Sequence, residues 1–427
     1  EDVELTEGDI NRVIAELKLA PATMEGARSV LRRLKHGIPI KLEKERVVKY
    51  IRLIDYDQPE NNEFIVSRQV RYVGLEEIRI DIILYVNGIP LTLFECKSPT
   101  KPYSTLEEAY QQVKGYEEKV PELFKYVQFS IAAEWNAYYF PNTTGGKEVP
   151  LEKWRVEGIE DEVDATLEML DRRRLLDILR HFVFVREHRG ELTKVTARWM
   201  QYEATNQIVD RVIKNLRAED ERNHGLIWHW LGSGKTFTMI FAANKLWLHK
   251  LPENPTIFFI VDRIDLEEQL RGEYEALDTS LPTLERIESA DRLKEVLRLG
   301  KRGAFLTLIH KFRPDEITML IEELKKPEAL EETIITRKNV IVFIDEGHRT
   351  QYGLLAAAMR LALKSAFFFA FTGTPIAIGQ KDTYSSFAYP ERNEYYLHRY
   401  FIVESQRDKH TLPIGLTSRL LHKVGLK

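Results

Sequence analysis

Three residues in the first quarter of the chain have the types that metal-dependent hydrolysis of a phosphodiester needs. Asp81 is followed after thirteen intervening residues by Glu95, and Lys97 comes two positions later. Two carboxylates can hold Mg²⁺, and a lysine beside them can position the attacking water. On a strand Glu95 and Lys97 point to one face, whereas Cys96 points away. The spacing predicts a nuclease centre in which Asp81 and Glu95 bind the metal.

The turn between the two carboxylates decides whether they can share a metal. Asn87-Gly88 is typical of a two-residue hairpin turn, which would place Asp81 opposite Phe94. Asp81 and Glu95 would then point to opposite faces of the sheet. An odd-length loop, or a bulge in one strand, would restore a common face. The nuclease prediction therefore requires one of these two irregularities.

A helix predicted over residues 104–119 carries two further candidates for catalysis. Gln112 and Tyr116 are four residues apart and so lie on one helical face. The whole pattern resembles the PD-(D/E)xK nucleases, with Ile80 where proline is common, and Gln112 and Tyr116 resemble the Gln-xxx-Tyr signature of RecB-like nucleases. An ordinary amphipathic helix would explain the same two residues.

A second set of residues, about 140 positions later, is typical of nucleotide binding. The set consists of Gly232, Ser233, Gly234, Lys235 and Thr236. The glycines let backbone N–H groups approach an anion, the lysine reaches the terminal phosphates, and the threonine hydroxyl ligates Mg²⁺. An apolar run precedes this loop and a helical pattern follows it, although His229 replaces the usual leading glycine. A glycine-rich turn followed by chance by Lys-Thr is the alternative.

A buried strand predicted over residues 340–344 ends in Asp345 and Glu346. At the carboxyl end of a parallel strand, Asp345 can hold Mg²⁺ and Glu346 can polarise the attacking water. An acidic helix cap explains a lone Asp-Glu equally well. A P-loop 110 residues upstream favours the catalytic interpretation.

The segment 345–348 resembles the DEAH-type motif of superfamily 2 helicases and translocases, with Gly347 where alanine is usual. Residues 371–375 resemble the motif of that superfamily that couples hydrolysis to strand movement. The resemblance implies that His348, Thr372 and Thr374 contact the nucleotide and that Gln201 reads the adenine. A solvated polar residue on a helix is the alternative for Gln201.

These two sets of residues need two folded units. The 427 residues exceed what one core usually supports. The predicted fold class is α/β, with a PD-(D/E)xK nuclease-like domain over 1–150, a helical connector over 151–194 and a RecA-like lobe over 195–427. In the last region short apolar runs alternate with helical stretches, which is typical of a buried parallel sheet.

Bulk composition limits the partners and the compartment. With 44% hydrophobic and 30% charged residues, the composition is that of an ordinary globular protein. A net charge of −4 gives no support to a nucleic-acid partner, so any basic groove must be local. The longest apolar runs are too short to span a membrane, and the acidic start lacks a signal-peptide pattern. Together with a single cysteine, these features predict a cytoplasmic protein.

The order of nuclease, connector and motor resembles the R (restriction and motor) subunit of type I restriction endonucleases, from residue 61 to the end. The segments 86–90 and 348–353 carry much of the similarity. The resemblance implies ATP and Mg²⁺ as cofactors, translocation of double-stranded DNA, and cleavage away from the recognition site. It also implies separate methyltransferase and specificity subunits as partners, with S-adenosylmethionine used only through them.

Superfamily 2 motors use two RecA-like lobes, and the second is expected to be absent because the chain ends about fifty residues after Pro375. We therefore expect an N-terminal fragment that binds ATP weakly, nicks DNA nonspecifically and does not translocate. Two other classes remain open: a stand-alone repair or recombination helicase-nuclease, and a catalytically decayed, ATP-responsive DNA-binding module.

Overall fold

The computed structural model describes residues 5–42, 47–98, 100, 105–308, 311, 315–316, 318–319, 322, 337–345, 359–360, 363–375, 383–389 and 393–412. Two predicted site residues, Glu346 and His348, lie outside the described residues. The remaining predicted site residues are all described.

The N-terminal region contains a mixed five-stranded sheet. Its elements are α1 (Glu7–Lys18), α2 (Met24–His36), β1 (Ile38–Lys41), β2 (Val48–Ile51), a 3₁₀ turn (Pro59–Asn61), β3 (Phe64–Val73), β4 (Glu77–Val86), β5 (Ile89–Cys96), α3 (Leu106–Lys119), α4 (Pro121–Phe124), β6 (Phe129–Ala133) and β7 (Ala137–Pro141). The strand order is β3-β4-β5-β6-β7, and the neighbours are antiparallel except β5 and β6. A parallel pair needs a crossover, which α3 and α4 provide.

Helix α3 begins where the sequence predicts, because Thr105 caps it by accepting a hydrogen bond from the Glu108 N–H at 3.2 Å. Its apolar face, with Val113, packs on Ile80 and Leu93 of the sheet in one buried cluster. This packing fixes α3 relative to β4 and β5, the two strands that carry the candidate carboxylates.

The segment predicted as a helical connector is only partly helical. It contains α5 (Glu162–Met169) and α6 (Arg172–His181), followed by a hairpin of β8 (Val183–His188) and β9 (Glu191–Thr196). The hairpin turns at Arg189 and Gly190, both of which have positive φ. The helical prediction overlooked this hairpin, because Arg189 is not a residue that normally marks a turn with positive φ at both central positions.

The C-terminal region is built on a parallel sheet, as predicted. Its elements are α7 (Trp199–Leu216), β10 (His224–His229), α8 (Lys235–Leu248), β11 (Thr256–Val261), α9 (Ile264–Ala276), β12 (Leu284–Ile287), α10 (Ala290–Arg298), β13 (Gly303–Leu308), β14 (Val340–Asp345), β15 (Phe367–Thr372), α11 (Thr383–Phe387), β16 (His398–Tyr400) and α12 (Ile402–Arg407). The order is β12-β13-β11-β14-β15-β10-β16, with parallel pairing throughout.

Both faces of this sheet are buried. Phe258 and Phe259 are neighbours on β11, yet their side chains belong to two different apolar clusters. A strand covered on both sides reads as a continuous apolar run, which is the pattern that predicted the sheet. The short strands β12 and β16 lack such a run and were not predicted.

One hydrophobic core continues from the N-terminal sheet into the C-terminal sheet. Tyr139 of β7 contacts Trp154 with 5.8 Å between ring centroids, and Trp154 contacts Tyr202 of α7 at 5.3 Å. From Tyr202 the chain of rings continues through Phe182 at 4.8 Å to Phe241 of α8 at 5.9 Å. The nuclease-like sheet and the helix after the P-loop therefore share packed side chains.

Across the described residues, no helix combines the length and the apolar character that crossing a bilayer requires.

Candidate nuclease and nucleotide sites

The β4–β5 hairpin contains the irregularity that the nuclease prediction requires. Asn87 and Gly88 form a two-residue turn with φ values of 49° and 76°. Near the turn Tyr85 pairs with Pro90, but Leu84 pairs with Thr92, so Leu91 is an extra residue on β5. Such a bulge shifts the register by one and reverses the facing of every later side chain.

Beyond the bulge the two carboxylates lie on the same face. Ile82 pairs with Phe94, so the next positions outward, Asp81 and Glu95, face each other. A regular hairpin with this turn would have separated them. The expected alternative, a bulge rather than an odd-length loop, is what the structure contains.

Asp81 is held from both neighbouring strands. Its Oδ1 accepts a hydrogen bond from the Gln69 side chain at 2.7 Å, and its Oδ2 accepts one from the Cys96 backbone N–H at 2.9 Å. Gln69 was not among the predicted site residues. The carboxylate of Asp81 is thereby fixed in one orientation.

Glu95 is buried beside Lys97 and Tyr116. The Lys97 Nζ lies 3.3 Å from Glu95 Oε1, and the Tyr116 hydroxyl lies 3.3 Å from Oε2. Burial, and secondarily the charge of Asp81, raises the pKa of Glu95 to about 7, although Lys97 and Tyr116 oppose this change. A buried carboxylate near a second carboxylate is a common feature of functional sites.

Gln112 connects the remaining members of this group. Its side-chain oxygen accepts a hydrogen bond from Lys97, and its side-chain nitrogen donates one to the Tyr116 hydroxyl. The Tyr116 hydroxyl also lies 2.8 Å from the Arg79 carbonyl oxygen of β4. All five predicted residues therefore meet at one place, with Gln112 and Tyr116 bracing Lys97 and Glu95 from α3.

The donor set at this place fits a hard divalent cation. Carboxylate oxygens are the ligands that Mg²⁺ prefers, and it usually keeps several waters rather than requiring a full protein cage. Within the part of the chain that is described, no three His, Cys, Asp or Glu side chains cluster so as to hold a metal. The protein ligands that this place offers a cation are therefore two carboxylates, those of Asp81 and Glu95. A bound cation would relieve the repulsion between them.

The predicted P-loop has the backbone that phosphate binding requires. Gly232 and Gly234 have φ values of 81° and 79°, a region that disfavours residues with a Cβ. The loop leaves β10 after His229, and α8 begins at Lys235, so the N–H groups of the first helical turn face the loop. The Ser233 hydroxyl is buried and has no hydrogen-bond partner among the described residues.

Gln201 lies against the P-loop and is buried. Its Nε2 is 3.2 Å from the Ser233 carbonyl oxygen and 3.3 Å from that of Gly234, while its Oε1 accepts a hydrogen bond from the Arg198 N–H at 2.9 Å. The side chain therefore supports the loop. Its predicted contact with adenine stays a prediction.

The sheet brings Asp345 and the P-loop to the same edge. Asp345, at the end of β14, pairs with Phe371 of β15, and Phe371 pairs with Ile227 of β10. Two strand spacings amount to roughly 10 Å, which one Mg²⁺-nucleotide can span. Asp345 is 4% exposed and Thr236 is 8% exposed, so both predicted metal ligands are largely buried.

Thr372 and Thr374 lie at the end of β15, beside the P-loop strand. The Thr374 N–H donates to the Thr372 hydroxyl at 3.1 Å, and the Trp228 indole N–H donates to the Gly373 carbonyl at 3.1 Å. The predicted nucleotide-site residues 372–374 are thus attached to β10.

Arg198 and Glu152 link the nuclease-like sheet to the P-loop, a contact that no sequence pattern predicts. The Arg198 guanidinium lies 2.8 Å from Glu152 Oε1 and 3.1 Å from the Gly232 carbonyl oxygen of the P-loop. Glu152 in turn pairs with Tyr139 of β7 through two backbone hydrogen bonds of 2.9 Å. Its other oxygen lies 2.8 Å from the His410 ring. A short path therefore leads from the nuclease-like sheet to the P-loop.

Two family models match separate parts of the chain. Residues 2–149 match the family model described as the type I restriction enzyme R protein N terminus, and residues 200–425 match the SWI2/SNF2 ATPase model. The second match covers more than half of the chain. The chain therefore belongs to the SWI2/SNF2 ATPases, and within them it carries the N terminus of type I restriction enzyme R proteins.

Curated relatives agree with this placement. The chain is 33% identical to a putative type I restriction enzyme MjaVIIIP endonuclease subunit of Methanocaldococcus jannaschii, covering 96% of this chain and 40% of that protein. It is 31% identical to the type I restriction enzyme HindI endonuclease subunit of Haemophilus influenzae, covering 89% and 37%. The chain thus spans about 40% of the length of these relatives.

Similarity to solved structures is weaker. A nuclease-deletion mutant of the Type ISP restriction-modification enzyme LlaGI in complex with a DNA substrate mimic matches with a TM-score of 0.32 and 16% identity, over 48% of this chain and 20% of that one. The Sulfolobus solfataricus SWI2/SNF2 ATPase core in complex with dsDNA matches with a TM-score of 0.29 and 18% identity, over 43% and 33%. At these scores neither adds to the description of the fold.

Proposed function

We propose that this chain forms the nuclease and first motor lobe of a type I restriction endonuclease R subunit. The proposed division is a nuclease domain over 1–150, a connector over 151–194 and a RecA-like lobe over 195–427. The observation that carries the proposal is the bulge at Leu91, which brings Asp81 and Glu95 to one face beside Lys97 in a chain with a SWI2/SNF2 ATPase domain.

In the proposed nuclease reaction, Asp81 and Glu95 hold Mg²⁺ and Lys97 positions the water that attacks the phosphodiester. Bound Mg²⁺ supplies a Lewis acid at the scissile phosphate. Gln112 orients Lys97 through its side-chain oxygen, and Tyr116 orients Glu95 through its hydroxyl. These contacts keep Lys97 beside the carboxylate, with 14% of its side chain exposed.

In the proposed nucleotide reaction, the backbone from Gly232 to Thr236 surrounds the phosphates of ATP. Lys235 contacts the terminal phosphates, while Thr236 and Asp345 hold Mg²⁺. Glu346 polarises the attacking water and His348 contacts the nucleotide, both by resemblance to the DEAH-type motif. The burial of Thr236 and Asp345 at one sheet edge supports these roles.

The proposed polymer substrate is double-stranded DNA, and the proposed partners are methyltransferase and specificity subunits of one complex. The names of the relatives, which are endonuclease subunits of type I restriction enzymes, support this assembly. S-adenosylmethionine would then act only through the partner subunits. ATP-driven translocation of the DNA and a cytoplasmic location complete the proposal.

The first test separates the two sites by one lysine each. With supercoiled plasmid and Mg²⁺, Lys97→Ala should lower the nicking rate on the order of 100-fold, because the water loses its positioning group. Binding of a fluorescent ATP analogue should remain unchanged. Lys235→Ala should weaken that binding roughly tenfold or more, through loss of a charged contact to phosphate, and leave nicking intact.

A matched control is Lys119→Ala, which removes a lysine at the end of α3 that forms a surface ion pair with Glu76 at 2.7 Å. It should change neither activity, because exposed ion pairs contribute little. Equal nicking by wild type and Lys97→Ala would contradict the nuclease proposal and favour an ATP-responsive DNA-binding module.

A further inference from the structure

Gln69 has an unusual backbone for a residue in the middle of a strand. Its φ is 53°, in the left-handed region that disfavours side chains with a Cβ. On either side of it β3 stays in register with β4, since Arg68 pairs with Ile82 and Val70 with Ile80. Gln69 therefore lies directly opposite Asp81.

Burial does not explain why a glutamine occupies this strained position. The residue is exposed, so packing of its side chain cannot offset the backbone cost. Its side chain donates a 2.7 Å hydrogen bond from Nε2 to Asp81 Oδ1. Strained residues persist where the surrounding structure fixes them, and they are concentrated at functional sites.

With this contact, the candidate metal ligand Asp81 accepts hydrogen bonds from both neighbouring strands. The Cys96 N–H of β5 binds Asp81 Oδ2 at 2.9 Å, while Gln69 of β3 binds Oδ1. Each carboxylate oxygen has two lone pairs, so both oxygens can still accept another partner. Because each oxygen has its own donor, the two hydrogen bonds fix the orientation of the carboxylate and of its remaining lone pairs.

We propose that Gln69 is a positioning residue of the nuclease site, which orients Asp81 for binding a divalent cation, and that its left-handed backbone is retained for this contact. The proposal rests on the proposed nuclease function, because it assigns Gln69 a role only through Asp81. Outer partners that orient a ligating carboxylate commonly influence metal affinity by 10- to 100-fold.

The test uses Gln69→Gly, because glycine adopts a φ of 53° without strain and removes the side chain. The melting temperature of the metal-free protein should stay the same or rise. Binding of Mn²⁺, followed by the electron paramagnetic resonance signal of the free ion, should weaken roughly tenfold. The Mg²⁺ concentration for half-maximal nicking should rise by a similar factor, with the rate at saturating Mg²⁺ within about twofold of wild type.

Gln69→Asn provides a second variant that keeps the amide and tolerates the left-handed region but is one methylene shorter. It should weaken Mn²⁺ binding as much as the glycine variant. The matched control is Arg189→Gly, since Arg189 also has a φ of 53° but lies in the β8–β9 turn. This control should raise the melting temperature and leave Mn²⁺ affinity unchanged.

Unchanged Mn²⁺ affinity in both Gln69 variants would overturn the proposal. A large fall in the melting temperature of Gln69→Gly would also overturn it, because the glutamine would then be needed for folding. Asp81→Ala distinguishes a failure of the underlying function: if it binds Mn²⁺ as wild type does, there is no metal site at Asp81. The nuclease proposal would then fail, and the role of Gln69 would fail with it.

Discussion

Lys194 shows how strongly burial in the fold changes the pKa of a side chain. Lys194 of β9 is 2% exposed, and its Nζ donates a hydrogen bond of 2.9 Å to the Val127 carbonyl oxygen before β6. Burial lowers the pKa of Lys194 to about 7, and the charge of Glu117 only partly opposes this. A neutral amine can keep the hydrogen bond at little cost, whereas a protonated one must be desolvated.

The sign of the resulting pH dependence follows from the direction of this change. The pKa is about 7 in the folded state and near the ordinary lysine value in the unfolded state, so between these values the unfolded state binds more protons. Stability therefore rises with pH across this window. From pH 7 to 9.5, the free energy of unfolding of wild type should increase by roughly 2–3 kcal/mol relative to Lys194→Met. Urea unfolding at both pH values measures this difference, and a constant difference would contradict the expectation.

At the scale of elements, helix α3 is the part that brings the nuclease residues together. One face of it braces Lys97 and Glu95, while a buried polar group holds its C-terminal half. In that group Glu117 accepts hydrogen bonds from Lys114 at 2.6 Å and from the Thr143 N–H at 3.0 Å. The Asn142 side chain donates to it as well, at 2.9 Å. The loop after β7 thereby fixes the rotation of α3 on the sheet.

Removing the buried carboxylate should loosen this helix. Glu117→Ala leaves the ammonium group of Lys114, which is 4% exposed, without its close partner, and the expected loss in the free energy of unfolding is roughly 3–5 kcal/mol. The double variant Lys114→Met, Glu117→Leu should lose less, because no unpaired charge remains. Chemical denaturation of the three proteins checks the order. Equal losses would show that the group does not act as a pair.

The nuclease residues on these elements could be recognised in the sequence. The bulge that brings Asp81 and Glu95 to one face of the sheet could not. The alternation of strands identifies the candidates, whereas the position of Leu91 as a bulged residue depends on long-range pairing. Pro90 was an unused sign, since proline within a strand lacks an N–H donor and is common at bulges. The P-loop strand was predictable from its apolar run. Contacts such as that of Arg198 with Glu152 were not, because nothing local encodes them.

At the scale of the whole molecule, the nuclease-like sheet is physically connected to the P-loop. Glu152 extends the nuclease-like sheet at β7 and, through Arg198, contacts the P-loop backbone. The rings from Tyr139 to Phe241 form a second connection through the core. Packed and hydrogen-bonded groups of this kind are the physical means by which coupling between the sheet and the P-loop would be carried.

This connection predicts an effect of the nuclease-side residue on nucleotide affinity. Glu152→Ala should raise the Kd of a fluorescent ATP analogue roughly 3- to 10-fold, because Arg198 loses the partner that holds it against Gly232. Glu191→Ala is the control, since that carboxylate forms an exposed ion pair with Lys147 at 2.8 Å. Because a coupling free energy acts in both directions, bound nucleotide should in turn stabilise the contact between Arg198 and Glu152. Equal Kd values for wild type and Glu152→Ala would exclude this coupling.

The order of strands around the P-loop also has a consequence for synthesis on the ribosome. Both neighbours of β10, namely β15 and β16, come about 140 and 170 residues later in the chain. At 5–20 residues per second, β10 waits roughly 10–30 s for its hydrogen-bonding partners. During this interval an apolar strand has both edges open to other nascent chains. Yield of the folded protein should therefore depend on translation speed and on chaperones that shield this strand until its neighbours emerge.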